Sequence, residues 1–122
     1  MMQMPTPIAR AMVRLGVLAR ITVVGRNSGV ERSVIVNQAA APDDGLYVAA
    51  GRGDSQWALN LRAAGRCTVN RKGTRHGYLA TELQGAERDR AVEALAPPFT
   101  RGSARIKGPA FRLTRLDEGQ LS

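Results

Sequence analysis

Residues 48–61 read Val-Ala-Ala-Gly-Arg-Gly-Asp-Ser-Gln-Trp-Ala-Leu-Asn-Leu, and this order predicts a strand, a glycine-arginine turn and the start of a helix. The two glycines permit positive φ and close backbone approach, and Asp54 or Ser55 can cap the helix. Free N–H groups at the helix start favour an anion, and Arg52 is a bidentate donor for phosphate or carboxylate. On these residues alone, an ordinary connection with a solvated arginine is slightly favoured.

Hairpin-spaced strands surround this stretch. Six segments predict strands: 18–24, 31–39, 46–50, 66–71, 74–83 and 109–116. Helices are predicted at 5–15, from Trp57 to a stop at Gly65, and at 86–95. No regular alternation of strand and helix is present, which excludes a doubly wound parallel sheet. The predicted fold class is α+β, mainly β, with the strands in a closed or half-closed antiparallel barrel that leaves few exposed edges.

The totals are those of one globular domain, predicted to span residues 1–122 with an amphipathic helix in residues 1–17. The chain has 122 residues, of which 43% are hydrophobic and 23% are charged. Aromatic residues make up only 4%, so few rings are available for base stacking. Single-stranded nucleic acid is therefore not favoured as a partner.

Positive charge dominates the surface chemistry. The net charge of +8 indicates an anionic partner, although sixteen of the eighteen basic residues are arginine, which a GC-rich genome also produces. No run of about 18 apolar residues is present, and Arg10 and Arg14 interrupt the only apolar N-terminal segment, so no membrane span or signal peptide is predicted. The expected location is cytoplasmic. Contact of the N-terminal helix with an anionic membrane surface is the less favoured alternative.

The sequence offers few residues for a metal site, a catalytic triad or a nucleotide-binding motif. The chain has one histidine and one cysteine, and the scattered carboxylates form no ligand cluster of the usual spacing. His76 is expected at the surface beside Arg75, and Cys67 is expected as a small core residue. Neither a Walker lysine motif nor a dinucleotide fingerprint is present. No catalytic residue and no metal ligand are assigned.

Two glycine-arginine turns stand out, at 25–29 with Arg32 close behind and at 51–54. Both follow predicted strands. At one end of a barrel, two such turns would grip the tail of a phosphorylated cofactor and leave a ring system over the sheet near Trp57.

Residues 22–32 and 57–63 resemble the deazaflavin-dependent nitroreductase family, whose members show Gly-Arg-x-Ser/Thr-Gly-x-x-Arg and then Trp-x-x-Asn-Leu. The resemblance covers about residues 18–116 and implies a split β-barrel. It also implies an oxidoreductase that passes hydride between the deazaflavin coenzyme F-420 and a small acceptor such as a quinone, enone or nitro compound. The phosphate and polyglutamate tail would lie in the basic turns.

The resemblance also implies the cofactor-binding residues. Carried over by position, with the glycines of the second turn and with two residues that would line the ring, they are Arg26, Ser28, Gly29, Arg32, Ile35, Ala50, Gly51, Arg52, Gly53, Trp57 and Asn60. The chain departs from the family at Asn27, where a basic residue is common, and in residues 97–108, which contain Phe99 but no tyrosine. An FMN-binding barrel, a basic barrel that binds nucleic acid through phosphates and a non-catalytic ligand carrier stay open as alternatives, as do a monomer and a homodimer.

Overall fold

The computed structural model describes residues 18–95 and 106–116, which form one curled antiparallel sheet and two helices. The elements in chain order are β1 Leu18–Val24, β2 Glu31–Asn37, β3 Ala39–Ala41, β4 Gly45–Ala49, α1 Gln56–Ala64, β5 Arg66–Arg71, β6 Thr74–Glu82, α2 Gly85–Leu95 and β7 Ala110–Arg115. The strand order across the sheet is β2-β1-β5-β6-β7-β4-β3. Because β2 also contacts β4, the sheet curls into a half-barrel, and the predicted mainly β class is confirmed.

The predicted single strand over residues 31–39 is wrong, because the chain breaks at Gln38 into β2 and β3. The backbone N–H of Gln38 donates to Oδ1 of Asn37 at 3.0 Å, and Nδ2 of Asn37 donates to the carbonyl of Leu95 at 2.9 Å. The chain therefore leaves β1 at Asn37 and pairs with β4 two residues later. The described residues accordingly contain seven strands where the sequence predicts six.

The main core lies between the concave face of the sheet and α1. Its largest fully buried side chains are Ile21, Leu46, Val48, Leu61, Phe111 and Leu113. The rings of Trp57 and Phe111 are tilted at 50° with their centroids 6.4 Å apart, so α1 is anchored to β7 through an aromatic contact. Burial of each large apolar side chain contributes about 1.5–3 kcal/mol, which fixes α1 at the mouth of the barrel.

Local signals place two of the boundaries as predicted. Lys72 and Gly73 have φ of 55° and 73°, which is the double positive φ that a tight hairpin turn between β5 and β6 requires. Gly65 ends α1 in the left-handed conformation with φ of 72°, and its N–H donates to the carbonyl of Leu61 at 2.8 Å.

Three sequence predictions lie outside the described residues: the N-terminal helix, the proline stop at 97–98 and most of the basic segment that contains Phe99. Across residues 18–95 and 106–116, no helix is both long and apolar enough to cross a membrane.

Candidate functional site

The two glycine-arginine turns meet at the first residue of α1. Nη2 of Arg26, in the turn after β1, donates to Oε1 of Gln56 at 3.0 Å. Nε2 of Gln56 donates in turn to the carbonyl of Asp54, in the turn after β4, at 3.2 Å. One glutamine therefore links both turns, and they lie at the same end of the barrel as the sequence predicts.

Asn60 holds the first turn against α1. Its side chain is only 6% exposed, and Oδ1 accepts from the backbone N–H of Arg26 at 3.1 Å and from Nη1 of Arg26 at 2.7 Å. A buried amide oxygen that receives two donors from one residue fixes both the backbone and the side chain of that residue. Asn60 therefore acts on the site through Arg26.

The shape of the first turn depends on its small residues. Gly25 and Gly29 bond within the turn, with Gly29 N–H donating to the carbonyl of Gly25 at 2.9 Å and Gly25 N–H donating to the carbonyl of Val30 at 2.8 Å. Gly29 has φ of 71°, and Oγ of Ser28 accepts from the N–H of Val30 at 3.2 Å. The oxygen of Ser28 thus accepts inside the turn, and its hydroxyl hydrogen can still be donated.

The second turn is held from behind by residues 106–109. Gly108 N–H donates to the carbonyl of Ala50 at 3.0 Å, and Lys107 N–H donates to the carbonyl of Gly51 at 3.2 Å. Nη2 of Arg88, on α2, donates to the carbonyls of Ile106 at 3.3 Å and Gly108 at 3.0 Å. A Cβ on Gly108 would lie 2.6 Å from the carbonyl oxygen of Ala50, so only glycine permits this approach.

A cavity of about 430 Å³ opens between β2 and the N-terminal turn of α1. It is lined by Val23, Arg32, Ser33, Val34, Ser55, Gln56, Trp57 and Asn60. The valines and the indole give it an apolar wall, and the remaining residues give it a polar rim. A pocket with an apolar wall and a few converging polar groups is typical of a small-molecule site.

The cations around this cavity are available to an anion. Arg26 bonds to the neutral side chains of Gln56 and Asn60, and Arg52 pairs with Asp54 at 3.0 Å. The side chains of that pair are 79% and 68% exposed, and an exposed pair of this kind contributes only about 0–1 kcal/mol. Arg52 can therefore exchange its carboxylate partner for a ligand at little cost.

The structure places some of the sequence-predicted residues in the lining of the cavity and others outside it. Arg32, Trp57 and Asn60 line the cavity. Arg26 donates to the lining residue Gln56, which in turn donates to the carbonyl of Asp54 in the second turn. The remaining predicted turn residues are not among the lining residues of the cavity: Ser28, Gly29, Gly51, Arg52 and Gly53. Ile35 and Ala50 are not among the lining residues of the cavity, and Ala50 is only 2% exposed. A contact of Ile35 or Ala50 with the ring stays a prediction.

Five lining residues were not predicted as site residues: Val23, Ser33, Val34, Gln56 and Ser55, which was predicted only as a helix cap. Two of them carried a usable signal. Counting by two along β2 from Arg32 leads to Val34, which shares its face. Gln56 directly follows the predicted helix cap, where a side chain reaches both flanking turns. Val23 and Ser33 line the cavity only because β1 and β2 pair beside α1, which no local pattern shows.

The side chains able to give a proton lie away from this cavity. Burial raises the pKa of the Cys67 thiol to about 12, which fits the predicted core cysteine and keeps it protonated. Tyr47 donates to Oε2 of Glu87 at 3.4 Å beneath α2. His76 and Tyr78 line a different cavity. The residues described as lining the β2–α1 cavity include no carboxylic acid, histidine, cysteine or tyrosine.

Comparison with protein families gives one match, to a model described as F420H(2)-dependent quinone reductase, over residues 6–99. No curated protein matches this chain.

Three solved structures illustrate the fold. An F420-H2 dependent reductase, FDR-A, is 23% identical, with a TM-score of 0.61 and coverage of 80% of this chain and 93% of that one. A structure described as a domain-swapped dimer is 21% identical, with a TM-score of 0.61 and coverage of 88% and 94%. The heme storage protein HutZ from Vibrio cholerae is 11% identical, with a TM-score of 0.66 and coverage of 92% and 90%. At these identities the likeness concerns the fold, and all three share the split barrel.

Proposed function

This chain belongs to the F420H(2)-dependent quinone reductase family, and we propose that the cavity between β2 and α1 holds the ring of its deazaflavin coenzyme. Membership makes the protein a deazaflavin-dependent reductase that acts on small molecules and uses coenzyme F-420. The FMN alternative has no support from the family match. An enzyme is likewise favoured over a nucleic-acid-binding barrel or a non-catalytic carrier.

The residues present fit the coenzyme. A planar ring needs an apolar wall, which Trp57, Val34 and Val23 supply. A phosphate and carboxylate tail needs cations. Arg26 and Arg52 supply them from the two turns beside the N-terminus of α1, and Arg32 supplies a third from the start of β2. The observation that carries the proposal is the joining of both arginine turns by Gln56 at the rim of one apolar cavity.

The chain's own residues bind and orient. When bound in its reduced form, coenzyme F-420 supplies the hydride that the acceptor receives. The ring of Trp57, in the wall of the cavity, packs against Phe111, and this contact holds the wall in place. Asn60 and Gln56 accept hydrogen bonds from the Arg26 guanidinium and fix its direction. The accompanying proton comes from solvent water, because the cavity is open and its described lining holds no carboxylic acid, histidine, cysteine or tyrosine.

A quinone is the proposed acceptor, with enones and nitro compounds as further acceptors of the same electronic type. Each has an electron-poor π system that can stack on the cofactor ring and accept hydride. The flat apolar wall beside the proposed ring position favours such planar molecules over charged or bulky ones.

The decisive experiment is a calorimetric titration of the purified protein with coenzyme F-420, FMN and single-stranded DNA at fixed ionic strength. We expect micromolar or tighter binding of coenzyme F-420 and clear preference over FMN. Binding of FMN as tightly as coenzyme F-420 contradicts the proposal. Tight DNA binding that weakens steeply with salt contradicts it in favour of phosphate tracking. Turnover of a quinone with reduced coenzyme F-420 then tests the acceptor.

A homodimer and a single domain over residues 1–122 are proposed with this function. The similar structure described as a domain-swapped dimer supports the dimer. Light scattering at micromolar concentration tests it, with twice the 13.1 kDa chain mass as the expected result.

A further inference from the structure

A second cavity, of about 400 Å³, opens at the opposite end of the barrel. The two arginine turns follow the C-terminal ends of β1 and β4, whereas this cavity lies where β4 begins and where β5 ends. Its lining residues are Ala40, Ala41, Asp44, Gly45, Leu46, Val69, Arg71, Lys72, Thr74, His76, Tyr78 and Arg115. It shares no lining residue with the cofactor cavity.

Three neighbouring strands place basic side chains at its mouth. Alternate residues of a strand share one face, so each strand has an inner residue in the core and an outer residue nearer solvent. The pairs are Val69 and Arg71 in β5, Tyr78 and His76 in β6, and Leu113 and Arg115 in β7. All three inner residues are buried, and two of them, Val69 and Tyr78, line the inner end of the cavity. Lys72, in the β5–β6 turn, adds a further cation to the lining.

These cations have no carboxylate partners among the described residues. Nη1 of Arg71 donates to Oε1 of Gln38 at 3.1 Å, which is a neutral acceptor. Nη2 of Arg115 lies 3.1 Å from Nδ1 of His76. A guanidinium only donates, so Nδ1 is the acceptor in this contact. Asp44 is the one carboxylate in the lining, which leaves a surplus of two positive charges.

The floor of the cavity is apolar with one hydroxyl. Tyr78 is 5% exposed, and burial raises the pKa of its phenol, so the hydroxyl keeps its proton at neutral pH. The charges of Arg71 and Arg115, which also line the cavity, lower the pKa of the same phenol in part. The cavity therefore combines an apolar base with cations that converge at its mouth.

We propose that this cavity is a second binding site for a small organic phosphate monoester, whose dianionic group contacts Arg71, Lys72 and Arg115 and whose organic part packs over Tyr78 and Val69. A monoester carries its two negative charges on one group, which matches the surplus of two positive charges at one mouth. The volume suits a small ligand. A dicarboxylate of the same net charge separates its charges and fits less well.

Backbone amide NMR with phenyl phosphate as the probe tests the location. We expect saturable shift changes at residues 44–46 and 71–78, with half-saturation below 1 mM at 0.1 M salt, on the order typical of a charge-assisted small-ligand site. Changes centred on residues 25–29 and 51–54, or shifts that grow linearly without saturation, overturn the proposal. Succinate is titrated in parallel, and tighter binding of succinate than of phenyl phosphate overturns the assignment to a monoester.

A matched pair of variants separates a local site from general attraction to a basic protein. Arg115→Gln removes a charge from the cavity mouth, and Arg75→Gln removes the same charge from the outer face of β6. We expect Arg115→Gln to weaken phenyl phosphate binding at least tenfold and Arg75→Gln to change it less than twofold, since a charge-assisted bond is worth about 1.5–3 kcal/mol. Equal losses in both variants overturn the proposal.

Affinity for coenzyme F-420 serves as the second measurement on the same variants. Arg115→Gln is expected to bind coenzyme F-420 as the parent does, which also shows that the variant is folded. A parallel loss of coenzyme F-420 and phenyl phosphate affinity shows one connected site and overturns the separation of the two cavities.

Discussion

Replacing Asn60 by alanine tests whether its side chain holds the first arginine turn of the proposed cofactor site in place. The change removes the acceptor of two hydrogen bonds from Arg26. The partly buried backbone bond is worth about 1 kcal/mol, and the guanidinium bond about 1.5–3 kcal/mol before solvent screening. Because the Arg26 side chain is exposed, we halve the second figure, and alanine regains about 0.5 kcal/mol in helix propensity. The expected net loss is about 1.2–2 kcal/mol of unfolding free energy.

Urea denaturation at pH 7 measures this loss, with an unchanged slope showing that the unfolded state is comparable. The melting temperature should fall by roughly 6–10 °C in a domain of this size. Asn60→Asp is the control, because it retains an oxygen acceptor facing Arg26, and we expect it to keep most of the stability. Coenzyme F-420 affinity should fall in Asn60→Ala and persist in Asn60→Asp. A stability change below 0.5 kcal/mol in Asn60→Ala, or equal losses in both variants, refutes the reasoning.

Three further predictions follow from the packing and charges. Gly108→Ala should lower the unfolding free energy in urea by about 1–3 kcal/mol, because its Cβ would press on backbone atoms of residues 50 and 52. The Cβ of Gly53→Ala would meet nothing within 4 Å, so this control should lose less than about 0.5 kcal/mol. Similar losses in both variants would contradict this packing. Arg52→Ala should weaken binding of intact coenzyme F-420 by about 1.5–3 kcal/mol in calorimetry but leave binding of a tail-truncated form unchanged. Asp54→Ala should weaken binding of neither form. An equal loss with the truncated form would show that Arg52 does not hold the tail. Burial raises the folded-state pKa of Cys67 from 9.0 to about 12, so the contribution of the protonated thiol to stability is complete below pH 9 and is lost as the pH rises toward 12. Between pH 8 and pH 10.5, Cys67→Ala should therefore lose less stability than the parent in urea titrations. Parallel losses in the two proteins would contradict the buried thiol.

Local chemistry explains why much of the fold could be predicted. The φ values of Lys72 and Gly73 and the left-handed Gly65 are requirements that only a few residues meet, so the sequence shows them directly. The two arginine turns of the proposed cofactor site could be predicted for the same reason. What joins the turns could not be predicted, since Gln56 and Arg26 are 30 residues apart and meet only because β1 and α1 pack together.

The break at Gln38 shows how a distant contact decides a local structure. Nothing between Glu31 and Ala39 forbids one continuous strand, and the sequence predicts one. The chain turns because Asn37 donates to the carbonyl of Leu95, 58 residues later, at the end of α2. β3 then pairs with β4 instead of extending β2, and its residues Ala40 and Ala41 become one wall of the second cavity. The proposed phosphate site therefore depends on a strand boundary that local propensity could not reveal. The proposed cofactor site depends instead on two turns that local propensity could reveal.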